Sequence, residues 1–244
     1  MVKIVHPSLS RADHANPIFH ILKPGKPIFR IYRSEYYPTA LSFRAWGPLH
    51  RFDHQRGIPP RLNYRPYKCQ PGNDPERRIC YTAPTLSGCL VEVFGDTPEA
   101  AEITKEYQFA ILSVKKDLKL LDIRDRGAMC AGANEATLAK TEKRALTQAW
   151  SRLFYDCKEK YTDVQGIIYR NAHNNEEAIV FYERGENYLS CEKKDVFSLG
   201  SPELRGHIIK AAKENNIRVI FPEWTEPTTL YFKKVNRTYA RINI

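Results

Sequence analysis

Residues 81–96 read YTAPTLSGCLVEVFGD and hold one carboxylate, Glu92, inside an otherwise apolar run. Just before it, RICYTA (78–83) is rich in β-formers and predicts a buried strand. Pro84 and Thr85 then open a helix, with Thr85 as its cap, that runs to about Phe94. At 100° per residue, Leu86, Cys89, Leu90 and Val93 share one face, and Glu92 falls nearly opposite, beside Gly88 and Thr85. The apolar residues then anchor the helix without burying its carboxylate. Two readings fit this phase. One is a solvated glutamate on an amphipathic helix, the commoner case. The other is a carboxylate offered to a ligand that approaches over Thr85 and Gly88.

Working outward, KPIFRIYRS (26–34) predicts a strand. Residues 35–79 carry seven prolines and predict a long loop, and long ordered loops usually serve function. QFAILSV (108–114) and LKLLDIR (118–124) predict two strands joined by a Lys-Lys-Asp turn. A long helix is expected over 135–159, with Leu138, Leu146, Trp150, Leu153 and Phe154 facing inward. Three more strands follow at 166–170, 178–183 and 187–192, then a helix at 201–216. The tail holds strand-like pieces at RVIF, TLYF and YARINI. Strands meet strands as often as helices, so the fold class is α+β, a mixed sheet with flanking helices and long loops. The first 26 residues are polar and turn-rich and read as an arm. Residues 27–194 read as the central domain, and 195–244 as an extension packed on it.

With 244 residues, 42% of them hydrophobic and 27% charged, the chain has the makeup of a soluble globular protein. No run approaches the roughly 18 apolar residues of a membrane span, and the N-terminus lacks a signal-peptide core. The expected location is the cytoplasm. The six cysteines form no CxxC and read as reduced thiols. His50, His54 and Cys69 lack a fourth partner, so no metal is expected. The net charge of +10 raises the question of nucleic acid. Its cations are scattered, however, in pairs such as Arg77-Arg78 and Lys193-Lys194. They accompany no helix-turn-helix, zinc-finger or RNP signature. Basicity fits a solvated surface or an anionic ligand such as nucleotide phosphates, and direct contact with nucleic acid stays open. GxGxxG, GxxxxGK[ST], GxSxG and HExxH are all absent.

Tyr81 and Glu92, separated by a small-residue helix start in YTAPTLSGCLVEV, resemble the central motif of the RES domain family. FRIYR supplies an arginine at Arg30, and HRFDH supplies Arg51 before an aromatic, as that family does. LTQAW (146–150), GIIYRNAH (166–173) and AIVFYERG follow in the family's order, so the resemblance covers roughly residues 27–190. There are departures. Pro48-Leu49-His50 stands where the family often has Gly-Gly, and Asp53-His54-Gln55 where it has Asn-Pro. The slot of the family's serine falls at Thr147 or at Asn171.

The resemblance implies an ADP-ribosyltransferase-like fold and a toxin whose partner is an Xre-like helix-turn-helix antitoxin. It also implies NAD+ as substrate, degraded or used to modify a protein. In that chemistry Glu92 stabilises an oxocarbenium-like centre at the ribose. Arg30 and Arg51 hold the diphosphate, for which arginine forks suit the oxygens. Tyr81 packs on a base, and Asn171 or Thr147 bonds ribose or phosphate. The rival expectation is a non-catalytic basic module of the same fold that binds nucleic acid or an acidic partner.

Overall fold

The computed structural model describes residues 6–59, 69–96, 100–133 and 138–222. Two larger sheets and three helices carry the architecture. In chain order these are β1 (Phe19–Leu22), β2 (Pro27–Arg33), β3 (Ile79–Thr82), α1 (Leu86–Phe94), β4 (Tyr107–Val114) and β5 (Leu118–Asp122). They continue with α2 (Arg144–Asp156), β6 (Gly166–Arg170), β7 (Glu177–Tyr182), β8 (Leu189–Ser190), β9 (Val196–Ser198) and α3 (Pro202–Glu214). The first sheet runs β1-β5-β6-β7-β3 and is antiparallel except between β5 and β6. In the second, β4 pairs with β2 over seven residues and with β8 and β9 along its other edge.

Strand alternation sorts the side chains into three cores. Ile167, Tyr169, Val180 and Tyr182 point to one side of the first sheet, where they pack with Trp150 and Phe154 of α2. Ile168, Ile179 and Phe181 point to the other side, against Ala110 and Leu112 of β4. Beyond the second sheet, Phe29, Ile31 and Phe109 meet Leu86, Leu90 and Phe94 of α1 and Leu204 and Ile208 of α3. The result is a helix–sheet–sheet–helix layering, α+β with mixed pairing, as the order of elements predicted.

One junction positions everything that follows. Phe29 of β2 and Ala83, just after β3, exchange both backbone hydrogen bonds, at 2.8 and 2.9 Å. This bridge ties the two sheets together and brings Arg30, Tyr81 and the start of α1 into one neighbourhood.

The structure departs from the sequence reading in several places. β4 and β5 are not a hairpin; the chain crosses between sheets at 115–117. Residues 19–22 are not part of an arm but form the edge of the first sheet, and Ala12 and Leu22 are buried. The four-residue FHIL segment is too short for its alternation to stand out. The helix expected over 135–159 begins at Arg144 and breaks at Cys157, before a short turn of helix at Lys158–Tyr161. The strand expected over 187–192 shrinks to Leu189–Ser190 after a 3-10 segment, Glu183–Tyr188. RVIF contributes Val219–Ile220, parallel to Ala101–Glu102, while TLYF and YARINI lie outside the described residues. No helix among the described residues is long and apolar enough to cross a membrane.

Trp150 is fully buried between α2 and the first sheet. Trp150→Ala is expected to cost about 3–5 kcal/mol, read from the midpoint of urea unfolding.

Candidate functional site

Thr85 sits in extended backbone ahead of α1, and its hydroxyl accepts from the Gly88 amide at 2.9 Å, which caps the helix. The face holding Leu86, Leu90 and Phe94 is in the core. Cys89, Glu92, Val93 and Asp96 form a second stripe that lines a cleft of about 430 Å³. This corrects the helical phase inferred from sequence. Cys89 is buried with Leu86 and Leu90 as expected and meets the cleft only at its floor, but Val93, expected inside, is 40% exposed at the cleft. The expected approach over Gly88 is closed. A Cβ there would stand 3.0 Å from the Ala83 Cβ and 3.4 Å from the Glu177 carbonyl oxygen.

The opposite wall depends on Asp53, which is fully buried. Its carboxylate accepts five hydrogen bonds. Both oxygens take the Arg44 guanidinium at 2.7 and 2.8 Å, and one takes the Tyr81 hydroxyl at 2.9 Å. The Leu49 and His50 amides complete the set at 2.5 and 2.9 Å. From the other side α2 receives three successive carbonyls of the same loop. Gln148 donates to the His50 oxygen at 3.0 Å, Thr147 to that of Arg51, and Ser151 to that of Phe52 at 2.7 Å. The Phe52 amide in turn donates to the Tyr81 hydroxyl at 3.0 Å. Clamped from both sides, the loop presents the His50 and Arg51 side chains to the cleft.

The cleft is cationic and aromatic. Arg30, Arg33, Arg44, Arg51 and Arg144 line it, against the carboxylates of Glu92 and Asp96. Arg30 is only 4% exposed; it donates to the Ala40 carbonyl at 2.5 Å and lies 4.8 Å from the Tyr37 ring centroid and 5.3 Å from that of Tyr32. Arg51 donates to the Thr141 carbonyl.

Water reaches Glu92, but the recessed wall crowds it closely enough to disfavour the ionised form. That desolvation pushes its carboxyl up to about 7, while the Arg51 charge and a hydrogen bond from Tyr169 pull it down. Burial, and then the Glu92 charge, hold the Tyr169 phenol well above its usual range, so it remains a donor. His50 is likewise open to water yet recessed, and burial lowers its imidazole below the ordinary value.

Of the residues named from sequence, Glu92, Arg30, Arg51 and Tyr81 line this one cleft. Thr147 and Asn171 do not. Both are fully buried, Thr147 on the Arg51 carbonyl and Asn171 inside its own turn. There Asn171 donates to the Asn174 side chain at 2.7 Å and accepts from the His173 and Asn174 amides at 3.0 Å each. They shape the loops that carry Arg51 and His173 rather than face the cleft. The sequence reading missed Asp53, Arg44 and Tyr169. Asp53 sits in an irregular proline-rich loop with no period to mark it. Tyr169 looked like one more strand residue, although alternation puts it on the α2 side with Ile167. Among the described residues no group of three His, Cys, Asp or Glu side chains is arranged to hold a metal.

The RES domain family model matches residues 27–200, and the chain belongs to that family. No curated protein matches it. Among solved structures, the crystal structure of the M. tuberculosis MbcT–MbcA toxin–antitoxin complex is similar over 82% of this chain and 95% of that chain, with 17% identity and a TM-score of 0.49.

Removing the Asp53 carboxylate leaves the Arg44 guanidinium, 11% exposed, without its ion pair. Asp53→Ala is expected to lower unfolding free energy by about 3–5 kcal/mol. Asp117→Ala, which breaks the exposed pair with Lys23, should change it by less than about 1 kcal/mol in the same urea titration.

Proposed function

We propose that this RES domain protein consumes NAD+ by cleaving the bond between nicotinamide and ribose. The observation that carries the reading is Glu92: a carboxylate set near neutrality by its surroundings, in a cleft whose other charges are mainly arginine. Breaking the bond leaves positive charge on the ribose carbon, and the bonding pair departs with a nicotinamide that becomes neutral. A carboxylate beside that carbon stabilises the charge as it develops.

The arginines suit the diphosphate. Arg30 is held by the Ala40 carbonyl and the Tyr32 and Tyr37 rings, so little freedom is lost when it binds. Arg51 lies within electrostatic reach of both Glu92 and Tyr169. It therefore serves the ribose end of the substrate as well as its phosphates. The rings of Tyr36, Tyr37 and Tyr81 line the same cleft and offer faces to the two bases. Tyr81 also uses its hydroxyl to hold the Asp53 loop. In this reading the protein is a toxin acting on the cytoplasmic NAD+ pool, and it is held in check by an Xre-like helix-turn-helix antitoxin.

Purified protein incubated with NAD+ should release nicotinamide, and Glu92→Gln should slow the release by about 10²–10³-fold with the fold intact. Release from neither protein, with steeply salt-dependent binding to polynucleotide instead, would favour a non-catalytic module. The active form of Glu92 is the carboxylate. In consequence kcat/KM should rise with pH through about 7 and level off above it. Tyr169→Phe removes a hydrogen bond that lowers this value, so the midpoint should move to higher pH.

A further inference from the structure

Resting on the NAD+ reading, we propose that His50 is the general base that deprotonates an attacking water, which makes the reaction a hydrolysis. His50 stands immediately before Arg51 in the clamped loop. Three observations point to it.

The first is its place. His50 shares the cleft lining with Glu92, Arg51 and Tyr81, and its ring meets Tyr81 edge-on with centroids 5.7 Å apart. The second is how firmly its backbone is fixed. Its amide donates to buried Asp53 at 2.9 Å, and its carbonyl accepts from Gln148 at 3.0 Å. Both anchors are main-chain groups, which leaves the imidazole uncommitted to the scaffold and directed by a rigid loop. The third is its charge state. Burial, together with the nearby Arg44 and Arg144 guanidinium groups, outweighs the attraction of Asp53 and favours neutral imidazole. A neutral imidazole near neutral pH can accept a proton.

The chemistry leaves this role unfilled without His50. Glu92 answers the positive charge on the ribose carbon. The other polar side chains of the cleft are chiefly arginines, which stay protonated, and tyrosines, and its second imidazole, His173, is taken up by the Asp96 carboxylate at 3.7 Å. Asp96 is turned toward Arg144 and His173, at 3.4 and 3.7 Å. In the step, the carbon–nitrogen bond to nicotinamide breaks and its electron pair leaves with the ring nitrogen. The water oxygen forms the new bond to the ribose carbon, and one water proton passes to an imidazole nitrogen of His50. The products are ADP-ribose, neutral nicotinamide and a protonated His50 that returns its proton to solvent.

An anionic nucleophile needs no base, and that separates a proton-accepting role from a structural one. The assay incubates full-length wild type, His50→Gln and Glu92→Gln with NAD+, with and without sodium azide, and resolves ADP-ribose from ADP-ribosyl azide. Wild type should form ADP-ribose. His50→Gln should form it about 10²–10⁴-fold more slowly and recover nicotinamide release when azide is present, as ADP-ribosyl azide. Glu92→Gln should be slow with either acceptor. If His50→Gln hydrolyses NAD+ like wild type, or if azide fails to restore turnover, the base assignment is overturned while the NAD+ reading stands. If wild type releases no nicotinamide under either condition, the NAD+ reading falls and the base assignment with it.

Discussion

The cleft depends on one buried carboxylate. Asp53 has no contact with solvent, and an isolated charge there would carry a large desolvation cost. That cost is offset because five donors converge on it: two from Arg44, one from Tyr81 and two from the backbone of its own loop. The arrangement fixes a segment that is itself neither strand nor helix. The same loop's carbonyls are taken by Gln148, Thr147 and Ser151, so the Asp53 side and the α2 side act as two jaws. His50 and Arg51 reach the cleft because the residues around them are gripped in this way.

The facing wall has a different origin. α1 is held by apolar packing on the second sheet and by the Thr85 cap. Its entry point is set by the Phe29–Ala83 bridge between the sheets. One wall is thus positioned by a polar network and the other by a hydrophobic one, and Glu92 stands where they meet. The consequence is electrostatic. A carboxylate recessed among protein atoms is pushed toward neutrality, while Arg51 and Tyr169 keep the shift from going further. In the proposed reaction it is the ionised form that answers the charge developing on the ribose.

Much of this was legible in the sequence, for identifiable reasons. The strand–cap–helix unit around Tyr81, Thr85 and Glu92 announces itself through β-formers, a proline–threonine start and a helical apolar period. Arg30 is marked by its place in a clear strand. What stayed hidden was set by tertiary partners. Asp53 is one acid in a loop without periodicity, and its value comes from Arg44 and Tyr81, nine and twenty-eight residues away. Thr147 and Asn171 are candidates only because the slot of the family's serine falls on one or the other, and their hydrogen bonds close on the backbone and on a neighbouring asparagine. β1 was lost because four residues carry too little alternation. The phase of α1 was misassigned by the width of its apolar face, since Val93 belongs to the cleft and Gly88 to the packed side.

The most direct test of the account is a crystal structure of Glu92→Gln bound to intact NAD+. The nicotinamide ribose should lie against position 92, with the diphosphate on Arg30 and Arg51 and the His50 ring facing the anomeric carbon across a water. NAD+ bound away from this cleft, or with its diphosphate at position 92 and its reactive ribose in solvent, would contradict it.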